Sequence, residues 1–220
     1  MRLLAISDIH GCLNKLKSLL DEVKYNPNKD KLILLGDYVD RGQQSIETLL
    51  YVGELIDNGA IAILGNHDEM FKELLESNQL EYALSQRYYY QQGTAVTIEQ
   101  YLELNKEKQK RVIDILNNLK LYYEYENYIF VHAGLDCKKS IDNQKYEDYF
   151  WIRNEFYKNK GIDNKIIIFG HTPTCNLNSN HYCTVWVDEK YNDKIGIDCA
   201  CVYGGNLACL DLTNSRTYYV

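Results

Sequence analysis

Lys31-Leu32-Ile33-Leu34-Leu35-Gly36-Asp37-Tyr38-Val39-Asp40-Arg41-Gly42 joins a short apolar run to a loop crowded with charge. A run of this length, stopped by glycine, reads as a buried β-strand over Lys31–Leu35. The arrangement recurs on both sides. Leu3–Ser7 runs into Asp8-Ile9-His10-Gly11, and Ala60–Leu64 into Gly65-Asn66-His67-Asp68. Tyr128–Val131 runs into His132-Ala133-Gly134, and Lys165–Phe169 into Gly170-His171-Thr172-Pro173. Between the first two of the five strands, Leu13, Leu16, Leu19, Leu20 and Val23 recur at helical spacing; Ile46, Leu49, Leu50, Val52 and Leu55 do so between the next two. This rhythm predicts an α/β fold with a largely parallel sheet and covering helices. The carboxyl ends of parallel strands lie along one edge, so the five clusters are expected to converge there.

From about Glu69 to Leu119 the pattern turns helical, with a break at Gln91-Gln92-Gly93-Thr94. It reads as a helical cap, about residues 69–119, inserted beside the site in a single domain spanning 1–220. Lys106–Arg111 reads as a solvated helix face. Further strands are expected at Thr184–Val187, Lys194–Asp198, Leu207–Leu212 and Arg216–Val220, with turns at Gly204-Gly205 and Thr213-Asn214-Ser215. The 20 tyrosines, including Tyr88-Tyr89-Tyr90 and Tyr122, Tyr123, Tyr125 and Tyr128, suit packing in half-buried sheets and helices.

With 220 residues, 45% hydrophobic and 25% charged, the chain can bury a large core without disulfide or metal staples. Its net charge of -7 argues against a nucleic-acid partner, which requires a positive surface. A phosphorylated substrate stays compatible, because bound divalent cations reverse the local field. The amino-terminal apolar run is too short for a signal peptide, and no stretch approaches the roughly 20 apolar residues of a membrane span. A cytoplasmic enzyme without a membrane partner is therefore expected. The odd count of seven cysteines suggests reduced thiols. Cys199 and Cys201 would share a strand face and so admit a zinc site, but the spacing is not that of paired CxxC motifs, and core packing is the plainer role.

Taken singly, an Asp-x-His or a histidine after a strand is weak evidence. Jointly, five clusters would bury many ionisable groups, which is costly without a metal or a partner. Four of the five histidines sit at such strand ends; His181 does not and reads as a loop residue.

The ordered set Asp8-x-His10, Gly36-Asp37-x-x-Asp40-Arg41-Gly42, Gly65-Asn66-His67-Asp68, His132-Ala133-Gly134 and Gly170-His171-Thr172 resembles the phosphoprotein phosphatase branch of the calcineurin-like metallophosphoesterases. The likeness runs from Arg2 to about Leu210, and the compact size suits phage and bacterial members, near the bacterial diadenosine tetraphosphatases. It implies an α/β/β/α sandwich with a small helical insertion. It also implies one metal held by Asp8, His10 and Asp37, and a second held by Asp37, Asn66, His132 and His171, with Asp37 bridging. Oxygen and imidazole ligands suit manganese first, with iron or zinc as alternatives, better than calcium. The implied reaction is direct attack on phosphorus by a metal-bridging hydroxide, in which the cysteines take no part. His67 would protonate the leaving oxygen, oriented by Asp40. Arg41 would grip phosphate, as would Arg153, which falls in a Trp151-Ile152-Arg153…Phe156 pattern like that of bacterial members. Asp68 departs from the glutamate of many protein phosphatases, although aspartate there also occurs in the bacterial dinucleoside-polyphosphate hydrolases. Ala200 stands where glycine is frequent. The first functional reading is a phosphatase acting on phosphoserine or phosphothreonine in proteins. The alternative is symmetrical hydrolysis of diadenosine tetraphosphate to two ADP, with the cap tyrosines stacking on adenosine. A third reading is a non-catalytic phosphate-binding scaffold.

Overall fold

Alternation along the strands sets the layering. The computed structural model describes all 220 residues. Its strands are β1 (Arg2–Ile6), β2 (Asp30–Leu34), β3 (Ile61–Ala62), β4 (Tyr122–Tyr125), β5 (Tyr128–Val131), β6 (Ile166–Phe169), β7 (Trp186–Val187), β8 (Lys194–Gly196), β9 (Ala208–Asp211) and β10 (Arg216–Tyr219). The helices are α1 (Leu13–Val23), α2 (Ser45–Asp57), α3 (Asn66–Glu76), α4 (Leu80–Ser85), α5 (Arg87–Gln92), α6 (Thr94–Leu102), α7 (Lys106–Asn118), α8 (Asp148–Trp151) and α9 (Asn154–Lys158).

Successive side chains of a strand point to opposite faces. Leu4 and Ile6 of β1 and Leu32 and Leu34 of β2 therefore pack against Leu16, Leu19, Leu49 and Val52 of α1 and α2. Their neighbours Leu3, Ala5, Ile33 and Leu35 meet Phe130, Ile168 and Ile197 between two sheets. The far face of the second sheet, with Ile129, Val131, Ile167 and Phe169, is covered by Tyr149, Phe150 and Phe156. The layers are thus helix, sheet, sheet, helix.

The strand-helix rhythm alone suggested a largely parallel sheet; the structure has the two-sheet α/β/β/α sandwich that the family resemblance implied. There are two five-stranded sheets, β10-β9-β1-β2-β3 and β4-β5-β6-β8-β7. Each keeps a parallel run, β1-β2-β3 and β5-β6-β8; antiparallel pairing extends the first on one side, through β9 and β10, and flanks the second on both, through β4 and β7. Parallel strands need both faces covered; here helices cover the outer face of each sheet and the other sheet covers the inner one. The hairpin strand β4 was not anticipated from its tyrosine-rich sequence.

The helical stretch begins at Asn66 rather than Glu69. The Asp68 side chain, at the third helical position, accepts the Gly65 N–H at 3.0 Å and so starts the helix early. The break near Gly93 ends α5: Gly93 has φ +80°, and an added Cβ would lie 2.4 Å from the Arg41 nitrogen. Ile98, Tyr101, Val112, Ile115 and Leu116 bring α6 and α7 into the core that α2 shares. No helix is long and apolar enough to cross a membrane. All seven cysteines are free. Ala200, left-handed at φ 59°, turns the chain between Cys199 and Cys201, so the shared strand face a zinc site required is absent.

Candidate metal centre

The site is assembled from strand ends of both sheets. Asp8 and His10 follow β1; Asp37, Asp40 and Arg41 follow β2; Asn66 and His67 open α3; His132 follows β5 and His171 follows β6. Apart from Arg41, all of these are buried. Asp8, His10, Asp37, Asp40, Arg41 and His171 also adopt left-handed backbone, with φ between 44° and 70°. That conformation costs an L-residue roughly 1–2 kcal/mol, and such strain gathers at functional sites. Loops from neighbouring strands hold it in place: the His10 and Gly11 amides donate to the Asp37 and Tyr38 carbonyls at 2.8 and 2.9 Å.

Hydrogen bonding settles which imidazole nitrogens are bare. His10 Nδ1 donates to the Val39 carbonyl at 2.8 Å, and His132 Nδ1 to the Leu35 carbonyl at 2.7 Å. A carbonyl can only accept, so in each neutral ring Nε2 presents a lone pair. His10 Nε2 lies 3.3 Å from Asp37 Oδ2, and His132 Nε2 lies 3.4 Å from Asp37 Oδ1. Asn66 Oδ1 is 3.0 Å from His132 Nε2 and 2.9 Å from His171 Nδ1. Where the His132 Nε2 lone pair faces the Asp37 and Asn66 oxygens, acceptor meets acceptor, and such pairs repel unless a positive charge lies between them. Two groups of ligand atoms gather, His10–Asp37–His67 and Asp37–His132–His171, each within 4.8 Å. Asp37 belongs to both, one oxygen to each side, and this donor set fits a pair of cations with a shared carboxylate.

The electrostatics follow from burial and crowding. Burial opposes the charged form of Asp37, but His132, His67 and His10 together hold its carboxyl well below the usual range. Burial also disfavours an imidazolium at His10, yet Asp37 outweighs it and raises His10 to about 9. Asp8 is pushed up to about 7 by burial and by Asp37. Both Asp8 oxygens lie 3.0 Å from the His171 amide, and one accepts the Ser7 hydroxyl. Asp8 is thus brought beside the ligands, but the gathered group next to His10 and Asp37 contains His67 instead.

His67 Nδ1 lies 2.7 Å from Asp40 Oδ2. The same carboxylate accepts the hydroxyls of Thr94 at 2.6 Å and Thr97 at 2.7 Å, and the Asp40 amide donates to Thr97 Oγ1 at 3.0 Å. Asp40 thus holds the imidazole by Nδ1 while two hydroxyls hold the carboxylate, and His67 Nε2 is left facing the site. Arg41 bridges the imidazoles, 2.5 Å from His10 Nε2 and 2.7 Å from His67 Nε2, and its guanidinium lies 5.4 Å from the Tyr203 ring centre. Arg153 reaches the rim, with Nη1 2.6 Å from Thr172 Oγ1, next to His171. Every residue expected at the site is present in it or at its edge. His181 lies elsewhere, exposed, against the Cys175 carbonyl.

Sequence reasoning missed two supporting side chains, Thr94 and Thr97, and the role of a third, Asp68. Thr94 and Thr97 are fully buried one helical turn apart, directly after the Gly93 break; two hydroxyls on a core-facing stripe were the available signal. Asp68 accepts the amides of Asp37 at 2.8 Å and Tyr38 at 2.9 Å and fixes the bridging loop. Its signal was a carboxylate at the third position of a helix.

Strand tips from two stacked sheets thus converge on a carboxylate shared by two groups of metal-ligand type atoms. The chain belongs to the calcineurin-like phosphoesterase family, whose model matches residues 1–198. A symmetrical bis(5'-nucleosyl)-tetraphosphatase of Nitrosospira multiformis is 35% identical over 64% of this chain and 46% of its own length. The chain thus spans less than half the length of the symmetrical hydrolases it first matches. An asymmetrical bis(5'-nucleosyl)-tetraphosphatase of Oceanobacillus iheyensis is 27% identical over 94% of this chain and 87% of its own length. Among solved structures, one provisionally designated a diadenosine tetraphosphatase superposes with TM-score 0.73 at 24% identity, covering 100% of this chain and 92% of that one. A serine/threonine phosphatase of Saccharomyces cerevisiae superposes with TM-score 0.61 at 14% identity, covering 100% of this chain and 79% of that one. These two likenesses concern the fold.

Proposed function

We propose that the chain hydrolyses a dinucleoside polyphosphate in a metal-dependent reaction. Of the substrates the sequence suggested, this is the alternative rather than the first reading, a phosphoprotein. The observation that carries it is the match to a tetraphosphatase along nearly the whole chain. Asp68, where many protein phosphatases carry glutamate, agrees with it.

His10, Asp37, Asn66, His132 and His171, with Asp8 beside them, would hold the two cations, manganese foremost. Bound cations supply Lewis acidity and lower the pKa of a water at the site. The protein's own groups do the rest. Arg41 and Arg153 neutralise and orient phosphate oxygens as planar forks. Asp40 holds the His67 imidazole with its proton on Nδ1, so that Nε2, once protonated, delivers a proton to the departing oxygen. The helical segment of residues 69–119 acts as a cap that secures Asp40 through Thr94 and Thr97.

The test is a substrate panel on the purified chain with manganese: diadenosine tetraphosphate, a phosphoserine peptide and p-nitrophenyl phosphate. The dinucleotide should exceed the peptide in kcat/KM by about tenfold or more, a margin that contacts to a nucleoside readily supply. Chromatography of the products assigns the cleavage: two ADP if symmetrical, AMP and ATP if not. Preference for the peptide would restore the phosphoprotein reading, and inactivity on all three would leave a phosphate-binding scaffold. Asp37→Ala should lose metal and turnover together. His67→Ala should keep metal and lower kcat by about 10²–10⁴-fold where the leaving group is poor, and by less where it is good.

A further inference from the structure

A groove of about 750 Å³ opens beside the metal centre, between α3, α5 and α8. Its walls include Met70 and Glu73 of α3, Tyr88 and Tyr89 of α5, and Trp151 of α8. Two of these aromatics are half exposed, Trp151 at 49% and Tyr88 at 50%. Large rings left this open on neighbouring elements call for a ligand more than for core packing. Tyr88 and Tyr89 meet edge to face at 5.2 Å, and the Tyr88 hydroxyl points to the Met70 sulfur at 3.7 Å. Trp151 is the wall shared with the reaction site: its ring meets that of His171 edge-on at 5.8 Å. Arg153, two residues on, reaches Thr172. A ligand whose phosphate rests between Arg153 and the metal ligands therefore continues over Trp151 into the groove.

The charge of the groove says what part of the ligand enters. The lining contains Glu73 and Glu76 and no lysine or arginine. Phosphate is repelled from such a wall, whereas amino and hydroxyl donors are welcome. The volume lies within the roughly 300–1,000 Å³ of small-molecule sites. These walls are helical, with their backbone bonds already made, so no free strand edge is offered there for an extended peptide to pair with. From this geometry, and resting on the dinucleoside polyphosphate reading, we infer that the groove is a nucleoside subsite. It takes a purine bearing an amino group, stacked on Trp151 and the α5 tyrosines, with base or ribose donors directed to Glu73.

The test compares wild type with Tyr88→Ala, Glu73→Gln and Trp151→Ala on diadenosine tetraphosphate and p-nitrophenyl phosphate, with manganese. Loss of one stacking partner should lower the ratio of kcat/KM for dinucleotide over p-nitrophenyl phosphate by about tenfold, chiefly through KM. Tyr88 and Glu73 lie on the surface of helices, so their variants decide the matter even if Trp151→Ala fails to fold. A wild type active on p-nitrophenyl phosphate but not on the dinucleotide overturns both the substrate reading and the subsite. A wild type active on both, with an unchanged ratio in Tyr88→Ala and Glu73→Gln, overturns the subsite alone. If these variants instead raise KM for a phosphopeptide flanked by lysines and leave the dinucleotide unaffected, the groove is a peptide site and the inference is wrong.

Discussion

Asp40 illustrates how much of the chemistry at a single residue is set by its neighbours. Its carboxylate serves His67, Thr94 and Thr97 at once, with all three contacts between 2.6 and 2.7 Å. Removing one hydroxyl leaves an oxygen free to swing and the imidazole free to tilt, and outer partners of this kind are typically worth 10–100-fold. Thr97→Val, nearly the same shape, should lower kcat by about tenfold while the metal content measured by elemental analysis stays the same. Loss of metal along with activity would mean that Thr97 supports the ligands rather than the acid. The pairing of Asp40 with His67 was legible from the motif. The threonine clamp was not, because it joins positions 54 and 57 residues apart through side chains that carry no periodic signal.

At the scale of elements, the end of α5 is the informative junction. Gly93 combines a left-handed φ with a close approach to the Arg41 backbone, whereas Gly59, also left-handed at φ +96°, has nothing within 4 Å of an added Cβ. The two alanine substitutions therefore separate backbone strain from displacement. Gly59→Ala should cost about 1 kcal/mol in denaturant unfolding and leave turnover intact. Gly93→Ala should cost more and also reduce kcat/KM, since Arg41 must shift. Equal effects of the two on activity would remove the link between this turn and the site. The break itself could be read from Gln91-Gln92-Gly93-Thr94; its contact with the Arg41 loop could not, since nothing local in either segment names the other.

Across the whole molecule, the buried carboxyls couple folding to pH. Asp198 is pushed up to about 8, first by burial and then by the nearby Asp8 carboxylate. The folded state thus binds this proton more tightly than the unfolded chain, where the ordinary value is near 3.8. The stabilisation is fully present below about 4 and fades as pH rises towards 8. In the metal-free protein, the stability of wild type relative to Asp198→Asn should therefore fall as pH rises from 4 to 8. Asparagine keeps the oxygen that accepts the Ala200 amide, so the comparison isolates the charge. A constant difference across that range in urea unfolding would place Asp198 in a solvated setting and contradict its burial. Manganese should raise Tm in both proteins, by mass action on the folded state.

What could be read directly from the chain was local: five short apolar runs, each followed by a glycine-bearing cluster of metal-ligand residue types, with helical spacing between the first three. Such patterns act over a few residues, and strand alternation and turn chemistry suffice to reveal them. The partition of the strands into two stacked sheets lay beyond that reach, because it depends on which apolar face meets which. Long-range packing likewise set Thr94 and Thr97 against Asp40, turned Asp8 towards the His171 amide, and brought Trp151, Tyr88 and Glu73 around one groove. Those contacts arise from shape complementarity between distant segments, for which neighbouring residues carry no code.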